Sequence, residues 1–211
     1  MNARLHPLAP QWAPLAATVA VLVTGTIAKV VWHSDRLGAA DGWGVRELEA
    51  TSSTVLLAAR VVSAGLVSLA VAGSLAIAAF AWALLRWREA VLLALAAPVL
   101  AFLAEKLLKL VVERRVPEAD VSHYPSGHLA VGTAVALSLV LVMRWTSTAP
   151  ATRTAVTVAA CLFVVVLGVA RVVESAHLLS DVVGGVGTGV AVTLTAALLL
   201  DGRRARGDQP G

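Results

Sequence analysis

Two histidines in this chain stand where an imidazole could do chemistry. His177 and Asp181 are four residues apart, a spacing that puts both side chains on one face of a helical turn. There a carboxylate can accept the Nδ1 proton and leave Nε2 as a nucleophile or a base. The other histidine, His128, closes the run Tyr124-Pro125-Ser126-Gly127-His128. Ser126 is a good helix N-cap and Gly127 lets a ligand approach the backbone closely, so the unpaired N–H groups of a first helical turn would point outward. Helix starts of this kind hold phosphate and other anions. Lys109, Arg114, Arg115 and Arg171 bring fixed positive charge near these stretches, which is what a phosphoryl group needs as its charge redistributes during transfer.

A bland account stands beside each of these readings. Ser126 could simply cap a helix, and His177 could be an interfacial histidine. Glu105 and Glu113 each lie four residues from Lys109, and Glu174 lies three from Arg171, so helix-surface ion pairs could claim those cations. Against this, an aspartate at the mouth of an apolar run is costly unless it has a partner, which favours the functional account of His177 with Asp181.

The elements that must position these residues are membrane spans. Of 211 residues, 58% are hydrophobic and 14% are charged, and the mean hydropathy is +0.82, far too apolar for an ordinary soluble domain. A crossing takes about 20 apolar residues. Apolar runs at about 12–32, 60–85, 90–112, 129–145, 154–170 and 182–200 predict six crossings and leave no room for a soluble domain. The expected fold is all-α, a polytopic helical bundle of six spans in a single domain covering residues 1–211. Arg60 marks the outer end of the second run, its side chain either snorkelling to the interface, which is the favoured reading, or pointing inward toward the polar site; Lys29 snorkels in the first. Pro98 is tolerated as a kink in the third. The first run is too long for a signal peptide and has no cleavage site directly after it, so it reads as an uncleaved span.

Several other features read as structural. The formal net charge of +4 is scattered between apolar runs, which argues against nucleic acid as a partner. Cys161 is the single cysteine; it allows no disulfide or thiolate metal site within the chain and reads as packing. Gly184-Gly185-Val186-Gly187-Thr188-Gly189 has no strand before it and reads as close helix packing, within the bundle or against a second copy, so a homo-oligomer is open. His123 and Tyr124 read either as substrate contacts or as interface anchors.

Six spans put both termini on one side of the membrane. Arg4, Arg86, Arg88, Arg144, Arg153, Arg203, Arg204 and Arg206 fall on that side, while Arg36, Arg46, Arg114, Arg115, Arg171 and most acids fall on the other. The positive-inside rule makes the first side cytoplasmic. All three polar stretches then share the external face, at the depth of lipid headgroups.

Together the three stretches resemble one family. Lys109 with Arg114, Arg115 and Pro117, then Tyr124-Pro125-Ser126-Gly127-His128, then Arg171 with His177 and Asp181, look like the three-part signature of the type 2 phosphatidic acid phosphatases. The vanadium-dependent haloperoxidases share that superfamily but are largely soluble, so the resemblance is to the membrane branch. It implies a metal-independent, cofactor-free hydrolase in the plasma membrane, acting on a lipid phosphate such as a phosphatidic acid, a phosphatidylglycerol phosphate or a polyprenyl diphosphate. By that resemblance His177 would attack phosphorus to form a phosphohistidine, Asp181 would orient it, and His128 would protonate the leaving oxygen and then activate water. Lys109, Ser126, Gly127 and Arg171 would hold the phosphoryl oxygens. The first stretch departs from the pattern: Val116 stands where the family has arginine before Pro117, leaving Arg114 or Arg115 to take its place. A phosphoryl or headgroup transferase using the same intermediate, and a non-catalytic binder of lipid phosphates, are the alternatives.

Overall fold

The computed structural model describes residues 9–32, 38–42, 52–83, 87–114, 124–145, 149–174 and 176–207. Six long helices run through them: α1 Ala13–Val31, α2 Ser53–Ala83, α3 Arg88–Val112, α4 Gly127–Trp145, α5 Pro150–Val173 and α6 Leu179–Gly207. Each contains a window long and apolar enough to cross a membrane, and no strand occurs among the described residues. The chain is an all-helical, six-span membrane protein.

The helices extend past several expected bounds for local reasons. α2 begins at Ser53 because Ser52 caps it, its hydroxyl accepting the Val55 N–H at 3.4 Å, and Arg60 faces outward without interrupting the helix. α6 runs on to Gly207, and its Asp201 accepts the Ala9 N–H at 2.6 Å, tying the start of the described chain to the last helix.

α3 shows how packing selects side chains here. Ala90, Ala94, Ala97 and Ala101 recur at helical spacing and are completely buried, whereas Leu92, Val99, Leu103, Leu107 and Leu110 on the other faces are exposed. Lipid tails are as apolar as leucine, so nothing drives leucine into the bundle, and small residues win the interface by letting helices approach. Pro98 cannot donate to the Ala94 carbonyl one turn earlier. Ser74 of α2 donates its hydroxyl to that carbonyl at 2.5 Å, so the break in the ladder is repaired across the helix pair.

α4 is the enclosed helix. Its apolar window is 56% buried, against 17% for those of α2 and α5, and α3, α5, α6 and α2 all pack against it. α6 reaches both α4 and α1 through its glycines. A Cβ on Gly185 would come 2.5 Å from the Ser126 carbonyl, and one on Gly189 2.6 Å from that of Ala130. On the opposite side, a Cβ on Gly187 would meet Thr24 Oγ1 of α1 at 2.2 Å. The glycine run is thus helix packing within the bundle. Cys161, by contrast, is exposed on α5: the packing expected of it does not occur, because the helix turns that face outward.

The helix ends sort into two sets. The rings of Trp87, before α3, and Trp145, ending α4, are 4.9 Å apart. The end of α3, the starts of α4 and α6 and the segment 38–42 after α1 are joined by the hydrogen bonds described next, and Arg171 near the end of α5 bonds Ser63 of α2 at 3.3 Å. The polar stretches therefore gather at one end of the bundle.

Candidate active site

The alanine face of α3 continues one turn further as Glu105 and then Lys109, which delivers both polar side chains inward. Glu105 is 1% exposed and is paired with Lys109, with Lys106 Nζ at 3.5 Å from its other oxygen. Glu113 ends the helix in the left-handed conformation (φ 46°), its N–H bonding the Lys109 carbonyl at 3.1 Å. That sharp stop turns Arg114 into the protein.

A cavity of about 390 Å³ lies at this end of the bundle. Lys109, Gly127, His128, Arg171 and His177 line it, together with Glu105, Lys106 and apolar residues of α2 to α5 that include Phe102, Val131 and Leu167. Five of the residues predicted from sequence are thus brought to one wall-to-wall space by four different segments. Both main cations arrive with partners: Lys109 with Glu105, and Arg171 with Glu174 and Ser63. Two of the ion pairs considered from sequence, Glu105 with Lys109 and Glu174 with Arg171, are therefore formed, yet Glu105, Lys109 and Arg171 also face the cavity. Phe102 and Val131 are shared with an apolar groove of about 360 Å³ that continues between α2, α3 and α4.

His177 and Asp181 lie at the entry to α6 as their spacing requires. His177 Nδ1 is 3.8 Å from Asp181 Oδ2, a little beyond hydrogen-bond range, and catalytic contacts often tighten only when substrate binds. Asp181 is completely buried behind His177; its Oδ2 accepts the Leu178 N–H at 3.1 Å. His128, on the first turn of α4, lies within electrostatic reach of His177, Arg171, Lys109 and Glu105.

Ser126 also differs from its expected place. It is fully buried and does not line the cavity. Its N–H donates to the Asp181 carbonyl at 2.9 Å, and its own carbonyl accepts the Ala130 N–H at 3.0 Å. The N–H groups of Gly127, His128 and Leu129 precede that first helical bond and are the ones left to an anion.

Arg114 does not join the cavity. Its Nη1 donates to Asp181 Oδ1 at 2.8 Å and to Ser180 Oγ at 2.6 Å, and its Nη2 donates to Asp41 Oδ2 at 2.7 Å. The reading of Arg114 as a phosphate ligand is corrected accordingly: a buried carboxylate needs a cation, and Asp181 and Asp41 have taken this one. Arg115 lies outside the described residues, as do Val116, Pro117 and His123.

Tyr124 is neither a substrate contact nor an interface anchor. Completely buried, it donates its hydroxyl to the Thr24 carbonyl at 2.6 Å and lays its ring where a Cβ on Gly184 would be, 2.2 Å from Cε2. Burial first, and the Asp181 carboxylate second, push its phenol well above the ordinary range, against a smaller opposing pull from Arg114.

Sequence reasoning missed Asp41, Ser180 and the inward role of Glu105. Glu105 was visible as the next step of the alanine face. Asp41 carried no comparable signal, because its partner Ser180 is 139 residues away and only the fold joins them.

The PAP2 superfamily model matches residues 105–205. Among solved structures, the fold matches the crystal structure of a transmembrane PAP2-type phosphatidylglycerolphosphate phosphatase from Bacillus subtilis, with a TM-score of 0.66 over 91% of this chain and 97% of that one, at 19% identity. No curated protein matches the chain.

Proposed function

We propose that this chain is a lipid phosphatase of the PAP2 superfamily, whose model it matches over residues 105–205, and that it hydrolyses a phosphomonoester or pyrophosphate at the external membrane face. The observation that carries this reading is the shared cavity: two histidines, three cations and a helix start converge on it, with a carboxylate behind one histidine. The apolar groove that shares Phe102 and Val131 with that cavity supports a lipid as the molecule bearing the phosphate. The positive-inside asymmetry supports a plasma-membrane protein whose site is on the non-cytoplasmic side.

In this mechanism the phosphoryl oxygens rest on the free N–H groups at the start of α4 and draw Lys109 and Arg171 from their internal carboxylates. His177 Nε2 attacks phosphorus; the P–N bond forms as the P–O bond to the lipid breaks. With the dianionic phosphoryl group bound beside it to hold the imidazolium, His128 gives its proton to the leaving oxygen. It then takes a proton from water as the hydroxide adds to phosphorus and the P–N bond breaks, which releases phosphate and regenerates His177. Asp181 stays ionised and stabilises the positive charge that develops on the His177 ring.

Protein purified in detergent and given a panel of lipid phosphates in EDTA is expected to release inorganic phosphate from at least one, and His177→Ala to release none. Absence of release from every lipid, or equal release by the variant, would exclude the reading. A labelled adduct on His177 that is acid-labile and base-stable would identify the intermediate.

A further inference from the structure

Behind the catalytic pair lies a buried chain of charge that the mechanism so far does not use. Arg114 is 1% exposed at its side chain and bridges two carboxylates, Asp181 at 0% and Asp41 at 5%. Asp41 sits in a short helical turn after α1. Its Oδ1 accepts the Ser180 N–H at 2.9 Å and its Oδ2 accepts the Ser180 hydroxyl at 2.6 Å. Ser180 belongs to the first turn of α6, next to Asp181, so Asp41 also satisfies a helix-start donor that α6 cannot satisfy itself.

The electrostatics follow from counting. A guanidinium bound to Asp181 alone would neutralise that carboxylate and weaken it as a partner for an imidazole gaining positive charge. With Asp41 sharing the guanidinium, two carboxylates stand against one cation among the described residues, an excess of one formal negative charge beside His177. Buried charges act over short distances with little screening. Geometry adds a second effect: with Oδ1 of Asp181 held by Arg114, only Oδ2 is turned to His177 Nδ1.

We propose that Asp41 is a positioning residue, acting through Arg114 to keep Asp181 both aimed at His177 and negatively charged. The proposal rests on the reading of His177 as nucleophile for its effect on rate, but its effect on the His177 ring stands apart from that reading. Among the described residues, the other titratable and charged groups around His177 and Asp181 are His128, Lys106, Lys109, Glu105, Arg171 with Glu174, and Tyr124.

The test is Asp41→Asn in the full chain, which keeps the size of the side chain and removes its charge. In the lipid phosphatase assay kcat is expected to fall about tenfold or more, on the scale set by loss of an outer orienting partner, while KM stays within about twofold. In histidine-labelled protein in detergent, the downfield ring N–H resonance of His177 is expected to move upfield, a change that a smaller folded fraction would not produce. Should Asp41→Asn fail to accumulate, Ser180→Ala removes the hydroxyl that links Asp41 to Arg114 without changing charge, and both readouts are expected to change in the same direction by a smaller amount. A folded variant with an unmoved His177 resonance overturns the proposal. A moved resonance in a protein that hydrolyses no lipid phosphate upholds the positioning role and overturns the phosphatase reading instead.

Discussion

At the scale of single residues, the site is held by side chains that never touch the cavity. Tyr124 is the single tyrosine of the chain, which makes its phenol directly observable. Because burial and Asp181 raise its protonation range in the folded state, the folded protein is expected to show no phenolate absorbance step near pH 10, the ordinary phenol value. Unfolding at that pH should reveal the step. The sign for stability follows: the folded state holds this proton more tightly, so its contribution is intact below about pH 10 and is lost as pH rises beyond it. A phenolate step near pH 10 in folded protein would contradict the burial. Gly184→Ala, whose new methyl would lie 2.2 Å from the Tyr124 ring, is expected to destabilise by at least the roughly 1–3 kcal/mol of an overpacked core. A thermal melt in detergent reads that loss, and an unchanged melting temperature would count against the packing described.

At the scale of elements, α3 explains what was legible in sequence and what was not. Its inward face repeats alanine at helical spacing and then places Glu105 and Lys109 in the same register, so a reader of spacing finds Lys109. The four-residue separation of His177 and Asp181 is readable for the same reason. Arg114 was misplaced because its position depends on a left-handed residue, Glu113, and on Asp41 from a distant segment; neither follows from local periodicity. Span bounds were read short wherever a charged residue such as Arg60 could point outward without ending its helix. The repair of Pro98 by Ser74 gives a test at this scale. Ser74→Ala leaves the Ala94 carbonyl unpartnered and is expected to cost about 1–2 kcal/mol. In a Pro98→Ala background, where the helix regains its own N–H donor, that cost should largely vanish. Equal losses in both backgrounds would mean that the hydroxyl does not serve the broken ladder.

At the scale of the whole molecule, the two ends of the bundle are chemically unlike, and the proposed orientation is testable on intact cells. With Cys161 replaced by serine, a cysteine at Ser52 is expected to react with a membrane-impermeant thiol reagent from outside, and one at Arg203 only after permeabilisation. The reverse pattern would turn the site toward the cytoplasm. At the site end, a backbone bond joins the start of α4, which carries His128, to the start of α6, which His177 precedes: the Ser126 N–H donates to the Asp181 carbonyl. The amide is fully buried with its residue, so it can trade its proton for deuterium only when the starts of α4 and α6 separate. Its exchange rate in heavy water is therefore a clock for that opening, and it reports, without substrate or turnover, how often His128 and His177 lose their common frame.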